Sequence, residues 1–209
     1  MINNILVIIT GCSRGLGASL SSVLHGYDVL CVDRKTSLYE SVKMDLSSKN
    51  LSLNSLQEKV RNYKKIIFIN NASIITPIVK IDSISIEDVE RSIYTNYINP
   101  VNIITSLLQN KKLYILINIS SGAVFGVNEE LSLYSSSKAA MHKFIEILKK
   151  EEKNNKYIKY IDNFDPKRMN TSMQKTLNKK KNLNSTDMNL SDPGDVAQDI
   201  KLLIEKYIV

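Results

Sequence analysis

Hydrophobic residues lie along this chain in short runs that alternate with amphipathic stretches. The runs are Ile5 to Ile9, Val29 to Val32, Ile66 to Ile69, Leu113 to Ile119 and Tyr157 to Ile161. They are rich in β-branched residues and read as continuous apolar strings, the pattern of strands buried on both faces. Between them lie Leu16 to Leu24, Leu53 to Val60, Ile86 to Leu108 and Leu133 to Leu148, which read as amphipathic helices. A βαβα order with two-face burial predicts an α/β fold: a doubly wound parallel sheet of the Rossmann type, helices covering both faces in three αβα layers.

Punctuation agrees with this reading. Ser85 with Asp88 three residues on makes a capping box, Gly26 is placed to close the first helix, and Asp192-Pro193 with Asp195 opens the last. There is no internal repeat and no Pro/Gly/Ser-rich linker, so residues 1–209 are expected to form a single domain. The last helix leaves room for only a very short strand before Val209, so the sheet is expected to lack a full closing strand.

Composition removes several function classes. Met1 to Thr10 is apolar but too short to span a membrane, carries no basic leader and runs directly into a glycine-rich turn, as a buried strand would. Two cysteines, Cys12 and Cys31, make no disulfide framework, and with His25 and His142 they match no metal-ligand spacing. A reducing cytoplasm, no membrane and no metal are therefore expected. The net charge of +7 gathers in local clusters such as Lys149, Lys150, Lys153, Lys156 and Lys159. These read as solvated faces. No aromatic residues alternate with them and no nucleic-acid motif occurs, so nucleic acid is not an expected partner.

Chemistry begins directly after the first strand, at Thr10-Gly11-Cys12-Ser13-Arg14-Gly15-Leu16-Gly17. In a strand–turn–helix context Gly11 permits the tight turn, Gly15 lets the backbone approach a pyrophosphate, and Gly17 lets helix and strand pack closely. The helix N-terminus adds unpaired N–H groups, and Ser13, Arg14 and Leu16 belong to the same cofactor-binding turn. Asp33 ends the second strand, where a carboxylate would bond an adenosine ribose. Arg14 and Arg34 together would hold a 2′-phosphate, which Asp33 would repel unless it turned aside. Two cations against one carboxylate favour NADP(H) over NAD(H).

Asn70-Asn71-Ala72, Asn96, Ser121 and Tyr134-x-x-x-Lys138 follow in the order and spacing of a known set. With the glycine turn, this set resembles the classical short-chain dehydrogenase/reductases. A second match, Tyr39-x-x-x-Lys43, lacks the supporting residues. Within the family the pattern is most similar to sepiapterin and benzil reductases, through Asn71 to Ile78, Ile119-Ser120-Ser121-Gly122-Ala123 and Thr171 to Gln174, and it runs from about residue 5 to about residue 175. The resemblance implies hydride transfer between a nicotinamide cofactor and a small carbonyl or alcohol, a ketone or diketone, in a homo-oligomer, expected as a dimer. It implies that Asp45-Leu46 contacts the adenine, that Asn70 and Ala72 border the adenosine, and that Pro166 and Thr171 flank the nicotinamide.

The residue types suit that chemistry. An alkoxide formed by hydride arrival needs an acid beside it, and Tyr134 supplies one. A cation one helical turn along, Lys138, would stabilise the phenolate, since a free phenol has a pKa of about 10. Ser121 would bond the substrate oxygen. Pro100 would release the carbonyl of Asn96, which in the family holds a water linked to the lysine. Lys175 and Lys179 to Lys181 would form a flap favouring an anionic substrate. Two positions depart from the family: Ser73 and Lys167 stand where it has glycine. The reading from another class is a catalytically silent dinucleotide-binding sensor or scaffold, which loss of Tyr134 or Lys138 would have favoured.

Overall fold

The computed structural model describes residues 4–35, 39–183 and 189–208. Six strands form one sheet: β1 (Ile5–Thr10), β2 (Asp28–Asp33), β3 (Ser41–Lys43), β4 (Lys65–Asn70), β5 (Leu113–Ile119) and β6 (Tyr160–Phe164). All pairings are parallel and the order is β3-β2-β1-β4-β5-β6. The strand order reverses between β1 and β4, which opens a crevice at the carboxyl ends of these two strands.

Alternation along β1 shows why the runs are continuous. Leu6 and Ile8 pack into one core, while Ile5, Val7 and Ile9 pack into the other. The first core lies beneath α2 (Asn54–Arg61), α4 (Asn99–Gln109) and α5 (Ser132–Glu151), through residues such as Leu56, Ile103 and Met141. The second lies beneath α1 (Gly15–Val23) and α7 (Pro193–Ile208), through Leu20 and Ile200. Each strand therefore has an apolar layer on both sides, as a doubly wound sheet requires.

Ser85 caps α3 (Ile86–Ile93), its Oγ accepting the N–H of Asp88 at 3.1 Å. Asp192 opens α7, its Oδ1 accepting the N–H of Gly194 at 2.6 Å. Gly26 does not close α1. That helix ends at Val23 with Leu24 as its cap, and Gly26 sits in the following turn without a positive φ, so its lack of a side chain is not used. The 86–108 stretch is helical from end to end, but not as a single α-helix. α3 widens into a π turn over Tyr94–Ile98, closed by the Asn99 N–H on the Tyr94 carbonyl, and runs on into α4, whose second residue, Pro100, has no N–H to give to that turn.

Two elements lie outside the sequence expectation: β3, only three residues long, and α6 (Ser172–Lys180), which Thr171 caps. β6 starts at Tyr160, later than the apolar run suggests. It is the edge of the sheet among the described residues. A short strand at Val209 would lie outside them.

Candidate active site

A cavity of about 670 Å³ runs along the carboxyl ends of the strands at the β1/β4 crevice. Its floor begins at the glycine turn. Gly11 and Gly15 both hold left-handed backbone, with φ of +75° and +55°, a region that L side chains rarely adopt. Gly17 serves close approach: a Cβ there would stand 2.0 Å from the Gly11 carbonyl oxygen. Arg14 precedes α1 in extended backbone, and no side chain caps that helix or adds an acid to its first turn. The amino-terminal N–H groups of α1 are thus left for an anion, which is the donor set a dinucleotide pyrophosphate needs.

Thr10 and Asn71 fasten the crevice. Thr10 Oγ1 accepts the N–H groups of Asn71 (3.0 Å) and Ala72 (2.9 Å), and Asn71 Nδ2 donates to the Thr10 and Gly11 carbonyls. These bonds tie the end of β4 to the turn that follows β1. Sequence reasoning used both residues only as markers, because such cross-strand bonds span about sixty residues and leave no local signal.

At the end of the cavity bordered by β2, Arg14, Asp33, Arg34, Asp45 and Leu46 form the lining, and Ala72 lines its wall. Asp33 is turned toward the protein: Oδ2 accepts the Ser13 N–H at 2.9 Å and Oδ1 the Lys35 N–H at 3.2 Å. Asp45 lies below its ordinary carboxyl value. Its partial burial, the largest influence, acts upward, and is outweighed by hydrogen bonds from Ser47 and the charge of Arg34. Ser13, Gly17 and Asn70 do not line the cavity. Ser13 contributes its N–H to Asp33, and Gly17 lies beneath the turn. Asn70 turns into the sheet, donating to Asn118 Oδ1, while Asn118 donates to Asn163 Oδ1 in a ladder across β4, β5 and β6.

Ser121, Tyr134 and Lys138 share the opposite wall. β5 delivers Ser121 at its carboxyl end, and α5 carries Tyr134 and Lys138 one turn apart, both buried. Burial is the largest influence on the Tyr134 phenol and holds it above its ordinary value. Hydrogen bonds with Ser121 and Ser73 pull it down, and the charge of Asp165 pushes it up. Lys138 is not among the groups acting on this phenol. The Lys138 ammonium points instead at the Ile119 carbonyl, 2.7 Å away, and burial lowers its own pKa to about 8. Ser73 thus has a use that the family's glycine cannot have, a hydroxyl within reach of Tyr134.

Asn96 does not line the cavity. Its Oδ1 accepts the Ile74 N–H at 2.8 Å, and its Nδ2 donates to the Ile74 carbonyl (2.9 Å) and to Ser137 Oγ (3.0 Å). The side chain is a bracket between the loop after β4 and the helix of Tyr134, and no described hydrogen bond joins it to Lys138. Pro166 and Thr171 line the cavity. Thr171 leans over the glycine turn, its Cγ2 3.4 Å from the place of a Cβ on Gly15. Lys167 adopts φ +59°, the conformation its glycine counterpart would take, and Asp165 holds it there by accepting the Lys167 N–H (3.0 Å) and pairing with its ammonium (3.2 Å). The substrate end is apolar, formed by Ile75, Leu131, Met173 and Leu177. Lys175, Lys179 and Lys180 are exposed and Lys181 donates to the Glu129 carbonyl at 2.8 Å; none of the four lines the cavity, toward which α6 turns Met173 and Leu177.

A doubly wound parallel sheet with an anion-ready glycine turn at its switch point and a buried Tyr–Lys pair facing it defines a Rossmann-type oxidoreductase of the NAD(P)-dependent class. The chain belongs to the short chain dehydrogenase family, whose model matches residues 5–182. It is 28% identical to a benzil reductase ((S)-benzoin forming) of Bacillus subtilis (strain 168), covering 96% of this chain and 93% of that protein. It is 25% identical to a protein of the same name from Bacillus cereus, covering 95% and 93%. Among solved structures, the KRED1-Pglu enzyme superposes with a TM-score of 0.80 at 23% identity, covering 95% of this chain and 93% of that one. 4-Hydroxyisoleucine dehydrogenase complexed with NADH superposes with 0.80 at 20% identity, covering 96% and 91%. Among the described residues no helix is long and apolar enough to cross a membrane.

Proposed function

We propose that this protein is a carbonyl reductase that uses Tyr134 to protonate small, uncharged ketones or diketones, with NADP(H) as its preferred cofactor. The observation that carries the reading is a single cavity, with the glycine turn at one end and Tyr134, Ser121 and Lys138 beside an apolar pocket at the other. The names of the two Bacillus relatives point to the same substrate class, and the aliphatic lining suits an uncharged ligand.

The residues fit the cofactor end to end. Gly11, Ser13, Arg14, Gly15, Leu16 and Gly17 form the pyrophosphate turn, and Arg14 with Arg34 would hold a 2′-phosphate. Asp33 keeps its negative charge but is turned toward the backbone, both its oxygens accepting N–H groups, so the preference rests on the two arginines. Asp45 and Leu46 with Ala72 frame the adenosine, and Pro166 and Thr171 flank the nicotinamide. When bound, the cofactor supplies the hydride to the carbonyl carbon.

Tyr134 delivers the proton to the carbonyl oxygen. Burial keeps its phenol protonated at neutral pH, which is the form an acid needs. The Ser121 hydroxyl, and Ser73 beside it, hold the substrate oxygen near that phenol. Lys138 remains an ammonium below pH about 8 and offsets the phenolate left behind. Asn96 positions the wall by locking Ile74 to Ser137. The enzyme is proposed to act as a homodimer in the cytoplasm, where the two buried cysteines, Cys12 and Cys31, stay reduced.

The test follows the absorbance of reduced nicotinamide with aromatic diketones, pterins and sugar-derived carbonyls, offered with each cofactor in turn. The expected result is turnover of diketones with NADPH ahead of NADH. Cofactor binding without turnover of any carbonyl would make the protein a silent dinucleotide binder, and turnover of sugars alone would overturn the substrate class.

A further inference from the structure

At the amino-terminal ends of β4, β5 and β6 the sheet carries a second hollow, of about 300 Å³. Three segments far apart in sequence bring lysines to it: Lys64 and Lys65 at the start of β4, Lys111 and Lys112 before β5, and Lys156 and Lys159 on the approach to β6. Tyr114 and Tyr157 complete the lining; Tyr114 is buried, whereas Tyr157 is 67% exposed.

The charges here are uncompensated. Lys112 donates to the Val60 and Arg61 carbonyls at 2.9 and 2.7 Å, and Lys65 lies over the Tyr114 ring, 4.2 Å from its centroid. Lys64, Lys111, Lys156 and Lys159 are exposed, and among the described residues none of the six has a carboxylate within 4.0 Å. Other surface lysines do find acids: Lys49 pairs with Glu90, Lys59 with Glu40, and Lys149 with Asp162. Like charges gathered on a concave surface repel, and a bound polyanion converts that repulsion into attraction.

We infer that this hollow binds a compact polyphosphorylated anion, its phosphates held by Lys64, Lys111, Lys156 and Lys159 beside the exposed ring of Tyr157. Lysine ammonium groups act on phosphate oxygens as point charges, whereas reading nucleic-acid bases favours arginine forks or rows of aromatic rings. One exposed ring in a hollow of this size suits a small anion better than a strand, whose successive bases want successive rings. The seven-residue β5 separates this hollow from the cavity at the other end of the sheet by roughly 20 Å, so the two ends bind independently.

Calorimetric titration of the whole chain with inorganic tripolyphosphate tests the assignment. An Arg14→Gln/Arg34→Gln background removes the two arginines assigned to the cofactor phosphate in the other cavity, where Arg91, Lys138, Lys167 and Arg168 remain. In that background tripolyphosphate is expected to bind one-to-one, and adding Lys64→Gln, Lys111→Gln and Lys159→Gln should weaken it at least tenfold. The matching Lys→Arg set should keep it, and the exposed positions should leave the melting temperature unchanged. No binding in the background, or equal affinity after the Lys→Gln changes, overturns the inference. A short single-stranded RNA that binds more tightly than tripolyphosphate at about 0.15 M salt, and is lost with the same lysines, overturns the compact-anion assignment in favour of nucleic acid.

Discussion

Lys138 is buried with the Ile119 carbonyl as its hydrogen-bond partner, and its pKa falls to about 8 in the folded chain from an ordinary 10.5. Below pH 8 both folded and unfolded chains carry this proton, and the folded state bears the full cost of a buried charge. Between pH 8 and 10.5 the unfolded chain binds more protons, so this group's contribution to stability rises with pH. Denaturant unfolding at pH 7.5 and 9.5 should show wild type gaining about 2 kcal/mol relative to Lys138→Met over that interval; parallel behaviour of the two proteins would mean that the ammonium is better solvated than its surroundings indicate. The Tyr134-x-x-x-Lys138 pair was legible from its spacing together with the residues that accompany it, since Tyr39-x-x-x-Lys43 has the same spacing without them. Ser73 and Asp165, which also act on Tyr134, were not, since neither is near it in sequence. Lys167 stands between these cases. A lysine in place of glycine reads as a disturbance, yet Asp165 accepts its N–H and holds the left-handed turn, against a cost of about 1–2 kcal/mol for an L residue there.

At the scale of elements, α1 and the turn before it meet with no spare volume. A methyl group at Gly17 would lie 2.0 Å from the Gly11 oxygen and 2.8 Å from its carbonyl carbon, atoms of the backbone that cannot rotate away. Gly17→Ala should therefore push α1 off the turn, cost ~2–3 kcal/mol or more and abolish cofactor binding, whereas Gly26→Ala, whose Cβ meets nothing within 4 Å, should be nearly neutral. Thermal unfolding and a titration of reduced-nicotinamide fluorescence check both variants, and two equal outcomes would refute the packing argument. Helix and strand identities followed from periodicity because each element has a strongly apolar face. β3 escaped because three residues carry no period. The π turn escaped because Pro100 signals a break without saying how the backbone absorbs it. α6 escaped because its apolar face is only Met173 and Leu177 amid lysines, which drew attention to the wrong side.

Across the whole molecule, one sheet separates two binding ends of different character. The carboxyl ends of the strands hold a long cavity that passes from an end lined by Arg14 and Arg34 to an aliphatic pocket, and the amino ends hold the lysine hollow. The βαβ order made the first end legible, since a doubly wound sheet opens its crevice at the switch point. The second needed coordinates, because only folding brings residues 64, 111 and 159 together. The account rests most heavily on Tyr134 as the proton donor, and Tyr134→Phe removes its hydroxyl alone. With saturating NADPH and a diketone substrate, kcat should fall by ~10²-fold or more while the dissociation constant for NADPH stays within about twofold of wild type. Turnover near the wild-type rate in that variant would contradict the mechanism.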